Sequence, residues 1–181
     1  MIEIIQKNNK VLRDISEAVP VKEIPSPKIQ KIIRDMKEAL ESQEDGVAIA
    51  APQIGVSMRI FVVSHRAFEI PPKTDSEKTE YSQKGDPVFI NPKILKLSKK
   101  KEMLDEGCLS VRWLYGSVKR SINATVEAYD EKGNKFTRGA GGLLAQIFQH
   151  EIDHLNGILF IDKAKDVQEV LPEQAKKTNE K

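Results

Sequence analysis

FQHEIDHLNG, residues 148–157, places two of the chain's three histidines four apart, with a glutamate beside the first. Around it Leu143, Leu144, Ile147, Phe148, Ile152 and Leu155 recur at three- and four-residue spacing, the period of a helix with an apolar face. Residues four apart on a helix lie one turn above each other on the same side. His150 and His154 therefore address one ion from a rigid frame, as zinc-type sites need. Glu151, one step round, reaches a water beside that ion without ligating it, which suits a general base. The five-residue pattern also arises by chance in unrelated proteins, so alone it leaves function open.

A catalytic metal typically takes three protein ligands and keeps one position free. The candidates for the third are acids, His65 and Cys108. A lone cysteine is most often a small buried hydrophobe, but Cys108 sits in DEGCLSV (105–111). There a glycine lets the backbone approach closely, and a glutamate stands two residues back. A thiolate is a good ligand for zinc and for ferrous iron.

Elsewhere the pattern is mixed. Ser26–Pro27 has the form of a helix start, and Ile29, Ile32, Ile33, Met36 and Leu40 give the charged stretch after it one apolar face, ending near Asp45–Gly46. GVAIAAPQIG (46–55) is small and apolar. MRIFVVS (58–64) reads as a buried strand, PVFINPKILKL (87–97) as a strand bent at Pro92, and TVEAYDEKGNKFT (125–137) as a hairpin around EKGN. Residues 65–86 are expected to form a long surface loop, and the last twenty residues a charged tail or a helix docked on the surface. The fold class is α+β, as one domain over 1–165 followed by a charged tail, 166–181.

Composition excludes several classes. The single cysteine rules out an internal disulfide, and a net charge of +2 is too small to imply a nucleic-acid partner. The run KLSKKKE (96–102) reads as a solvated strand end or turn. No stretch approaches the roughly 18 apolar residues that cross a bilayer. MIEIIQKNNKVLRDISEAVP lacks the apolar core of a secretion signal, so a cytoplasmic location is expected.

GVAIAAPQ, EGCLS and QHEIDH, in this order, resemble the three motifs of the peptide deformylases, and the likeness extends over roughly residues 1–165. The resemblance implies mixed or antiparallel β-sheets packed around a central metal-bearing helix. It implies hydrolytic removal of the formyl group from N-terminal formyl-methionine of nascent polypeptides, releasing formate. Carried over by motif, Cys108, His150 and His154 hold one divalent ion, Fe2+ in the cell, with Zn2+ or Ni2+ as alternatives. Glu151 takes the proton of the attacking water and passes it to the leaving amine. Gln53 and the backbone N–H of Leu109 donate to the formyl oxygen. Gly46, Val47, Ala48, Glu106, Gly107, Tyr115, Gln146 and Ile147 fall beside the substrate. The implied partners are N-formylmethionyl peptides and, transiently, the ribosome; the chain is expected to act as a monomer, with neither membrane nor specific nucleic acid.

The sequence departs from the family at several positions. Ala48 stands where glycine is common, and Arg112 where proline is usual after EGCLSV. Tyr115 takes the place of an arginine that steadies the substrate backbone. Trp113 is expected as a packed or rim aromatic. Gln146 replaces an apolar side chain and is expected to turn into solvent. A zinc endopeptidase built on the same helix would need a further ligand downstream, but no histidine follows His154. A non-catalytic relative is disfavoured because every ligand, base and donor is present.

Overall fold

The computed structural model describes residues 2–70 and 85–171; most of the expected 65–86 loop lies outside them. The elements in order are α1 (Pro27–Glu41), β1 (Ala48–Ala50), β2 (Ile60–Val63), α2 (Arg66–Glu69), β3 (Val88–Leu97) and β4 (Lys101–Gly107). They continue with β5 (Leu114–Ser121), β6 (Asn123–Tyr129), β7 (Lys135–Gly141), α3 (Gly142–Leu155) and β8 (Lys165–Glu169). All strand pairs are antiparallel, in a five-stranded sheet ordered β1-β2-β3-β6-β7 and a three-stranded sheet ordered β4-β5-β8.

The larger sheet is covered on both faces because its central strands are apolar on both. In β2, Phe61 and Val63 join the cluster that includes Leu144, Phe148 and Ile152 of α3, while Ile60 and Val62 join Ile29, Ile33, Met36 and Leu40 of α1. Phe61 stacks on Phe89 with centroids 4.5 Å apart, and Phe148 meets Phe89 edge-on at 5.1 Å. α1 starts as its sequence predicts: Ser26 Oγ accepts from the Ile29 N–H, with Pro27 in the first turn. The bend expected at Pro92 is present as a register shift between Ile90 and Lys93. There Asn91 adopts φ 51° and exchanges side-chain hydrogen bonds with both backbone groups of Val19.

α3 is the helix predicted from 143–156, and nine of its residues, including Glu151 and His154, are buried. Its C-terminal end is fixed by the N-terminal segment, where the Ser16 N–H donates to the Leu155 carbonyl. Gly157 follows at φ 73°, and a Cβ there would lie 2.5 Å from the Arg13 carbonyl oxygen, so only glycine fits. The tail expected from residue 166 begins instead within strand β8, which pairs with β5. All five β8 residues are exposed, so its backbone pairing left no hydrophobic alternation to read. Among the described residues, no helix is long and apolar enough to cross a membrane.

Candidate active site

α3 follows β7 without a gap and packs against β1. His150 and His154 stand one turn apart on it, with ring centroids 4.9 Å apart. Cys108 comes from the turn after β4, and Sγ lies 3.2 Å from His154 Nε2. The thiol and two imidazoles offer ligand atoms that all lie within 4.8 Å of one another. His65 is elsewhere, paired with Asp86 through Nδ1 at 2.9 Å.

These three residues fit a divalent ion on the chemistry of their environment. His150 Nδ1 lies 2.9 Å from Glu106 Oε2. That bond places the proton on Nδ1 and leaves Nε2 for the centre. Burial drives His154 well below its ordinary pKa, so its ring is neutral and its lone pair available. On His150 burial also opposes charge, but hydrogen bonds to Cys108 and Glu106 outweigh it and raise the ring well above its ordinary value. A position at which a thiol and a carboxylate hold a proton on a buried imidazole favours positive charge.

Behind the ligands stands a network that joins two motif acids, Glu106 and Asp153, through Arg120 and Lys163, which lie outside the motifs. Arg120 of β5 donates through Nε to Glu106 Oε1 at 2.7 Å and through Nη2 to Glu106 Oε2 at 2.9 Å. Its Nη1 donates to Asp153 Oδ2 at 2.6 Å, and Lys163 Nζ reaches both Asp153 oxygens at 2.8 Å. Burial pushes the Glu106 carboxyl up, yet the bonds from Arg120 and His150 overcome it and hold it at about 2. The available signal was positional. Gly116, Val118 and Arg120 are alternate buried residues of β5, so a charge occupies the apolar phase of the strand and must have an internal partner.

A cavity of about 320 Å³ opens over the centre. Gly46, Val47, Ala48, Gln53, Glu106, Gly107, Cys108, Leu109, Tyr115, Gln146, Ile147, His150 and Glu151 all line it, so the fold gathers the residues singled out from the sequence. His154 lies below them, 1% exposed. Glu151 is buried, which pushes its carboxyl up to about 7, and one of its oxygens has no hydrogen-bond partner. Gln53 is locked: its Oε1 accepts from the Ala50 N–H at 2.8 Å, and its Nε2 points to Ser110 Oγ at 3.2 Å and Cys108 Sγ at 3.6 Å. The Leu109 N–H has no acceptor among the described residues.

Several placements refine the sequence reading. Gly46 lines the cavity but is also a packing glycine, since a Cβ there would come within 3.3 Å of Leu40, Gln43 and Leu109. Glu106 faces the cavity with its carboxylate taken by Arg120 and His150, so it acts through His150. Gln146 does not turn into solvent; its Nε2 donates to the Asp105 carbonyl at 3.0 Å, because the end of β4 presents that oxygen to α3. Tyr115 lies across Gly107, where a Cβ would meet the ring at 2.7 Å. Trp113 is at the rim, under the Arg112 guanidinium at 4.6 Å.

Antiparallel sheets around a helix that supplies two imidazoles and a buried carboxyl group, with a cysteine sulfur arriving from a neighbouring turn, define a metal-dependent hydrolase. The family model described as polypeptide deformylase matches residues 1–170, and the chain belongs to that family. The chloroplastic peptide deformylase 1A of Solanum lycopersicum is 36% identical over 165 residues, covering 90% of this chain and 59% of that longer relative. The peptide deformylase of Roseiflexus sp. (strain RS-1) is 40% identical over 149 residues, 80% of this chain and 77% of the relative. The Met-Ala-Ser-bound crystal structure of class I type b peptide deformylase from Acinetobacter baumannii superposes with a TM-score of 0.76 at 29% identity, covering 90% of this chain and 98% of that one.

Proposed function

We propose that this enzyme hydrolyses the formamide of N-formylmethionyl peptides, releasing formate and a free amino terminus. The observation that carries the reading is one convergence: three metal-type donors, a buried carboxylate with an unpartnered oxygen, and a fixed amide N–H meet in one cavity. The related Acinetobacter enzyme holds Met-Ala-Ser, the kind of product such a reaction leaves.

Cys108, His150 and His154 would hold the divalent ion, which would supply Lewis acidity that brings water ionisation toward neutral pH and polarises a carbonyl. Glu151 takes a proton from the attacking water and delivers it to the methionine nitrogen as the C–N bond breaks. Gln53 Nε2 and the Leu109 N–H donate to the formyl oxygen as it gains negative charge; the Ala50 and Ser110 contacts keep the amide aimed. Gly46, Val47 and Ala48 on one side, and Glu106, Gly107 and Tyr115 on the other, flank the peptide, with Gln146 and Ile147 facing its first side chain. β1 lies at the edge of its sheet and has main-chain groups to offer an extended peptide, whatever its later side chains. Glu151→Ala is expected to retain its metal and lose turnover; an active, metal-replete variant would remove Glu151 from this role.

The resident ion in this reading is Fe2+, as the family resemblance implies; the ligand set of one cysteine and two imidazoles suits ferrous iron and zinc alike. Metal analysis of protein purified without air tests it, and zinc as the dominant metal counts against it. The chain acts as a cytoplasmic monomer that meets its substrates at the ribosome, with Lys163 and Lys165 among the basic residues near its C-terminal end. Sedimentation of the protein with and without ribosomes tests the monomer and the ribosome contact, and cell fractionation tests the location.

A further inference from the structure

Two segments line the cavity together: residues 45–48, which lead into β1 of the larger sheet, and residues 105–109, at the end of β4 in the smaller one. A peptide in the cleft takes one wall from each sheet, so the spacing of the walls decides how well its backbone is gripped. Arg112 joins them. From the turn after Cys108 its guanidinium donates to both carboxylate oxygens of Asp45 and, at 3.0 Å, to Gln43 Oε1. Its own backbone N–H donates to Gln6 Oε1 at 3.4 Å, and the Trp113 ring lies under the guanidinium. Every side-chain hydrogen bond between residues 43–48 and 105–115 comes from Arg112 among the described residues. Asp45, Arg112 and Trp113 all line the cavity, so this link is part of the cleft's own lining.

We propose that Arg112 and Asp45 form a clasp that fixes the width of the cleft and sets the affinity for substrate residues beyond the formylated first one. Both are positioning residues. Within a clasped cleft the walls are held at one separation before the peptide arrives; without it, binding must order them. A substrate ending at the first residue does not extend between the walls and is less sensitive to the loss. The inference rests on the deformylation reading above.

The test is steady-state kinetics on formyl-Met-Ala-Ser and on formyl-methionine amide with wild type, Arg112→Ala, Asp45→Asn and the reversed pair Asp45→Arg/Arg112→Asp. Each single variant is expected to raise KM for the tripeptide about threefold to fivefold more than for the amide, the range of a partly exposed ion pair. The two substrates should share any change in kcat, and the reversed pair should recover part of the tripeptide affinity. Equal KM changes for both substrates, or a reversed pair no better than Arg112→Ala, overturn the clasp. Tighter binding of the tripeptide by Asp45→Asn also overturns it, because Arg112 would then be touching substrate directly. If wild type turns over neither substrate, the deformylation reading fails; if it turns over both and the variants behave as just described, the clasp alone fails.

Discussion

Replacing Arg120 by methionine removes the group on which the ligand geometry rests. The side chains of Arg120 and Glu106 are 4% and 3% exposed, so solvent screens little of the loss. Breaking a buried pair by deleting one partner costs about 3–5 kcal/mol, because the other charge is left uncompensated. Two structural facts place this case at the lower end: Asp153 keeps Lys163, and methionine fills much of the vacated volume. About 3 kcal/mol in a chain of this size corresponds to a fall in Tm of about 6–12 °C. The His150 ring would also lose its fixed orientation, and lost support of that kind costs about 10–100-fold in metal affinity. Thermal unfolding and competitive chelation of the loaded protein at neutral pH read the two effects separately. The double variant Arg120→Met/Glu106→Met should regain much of the Tm, since no orphan carboxylate remains, but not the metal affinity. A single variant within about 2 °C of wild type with unchanged metal affinity would refute the reasoning.

Gln53→Ala should lower kcat/KM for formyl-Met-Ala-Ser about 10²–10³-fold, the loss expected of one oxyanion donor. Its Tm should fall as well, because the buried Ala50 N–H loses its acceptor; a rate loss under about tenfold would argue against the donor role. Phe148→Ala, at 0% exposure between Phe61 and Phe89, should cost about 3–5 kcal/mol in denaturant titrations without altering the ligand set. Asp130 closes the β6–β7 turn by accepting from the Lys132 and Asn134 N–H groups. Burial raises its carboxyl, but those bonds, with one from the Asn134 side chain, together outweigh it, to a net fall. A lowered folded pKa stabilises above the unfolded value, about 3.9, and that contribution is lost as pH falls through the folded value. The Tm gap between wild type and Asp130→Asn should therefore be full at pH 6 and shrink below about pH 4; a constant gap contradicts it.

The parts of the fold legible in the sequence are those with a period. The apolar faces of α1 and α3, the cap at Ser26, the bend at Pro92 and the EKGN hairpin were each marked by local chemistry. Strand β8 was not, because it is exposed throughout and its place depends on backbone pairing with β5. At the site, the motifs named the ligands and base, since metal donors are restricted to few residue types. The support was harder to read. Asp153 stands within QHEIDH, where nothing marked it as a partner for Arg120; Arg120 lies outside the motifs, and only the burial phase of β5 marks it as internal. Gln146 pointed the wrong way in the sequence reading because its partner, the Asp105 carbonyl, is main chain and leaves no trace in residue identity.

The most direct test of the account is formate release from formyl-Met-Ala-Ser by protein reconstituted with Fe2+ without air, run beside Cys108→Ala. The account predicts one formate for each new amino terminus in wild type, and neither turnover nor a full metal complement in Cys108→Ala. No formate from the fully loaded wild type, or an active, fully loaded Cys108→Ala, would contradict it.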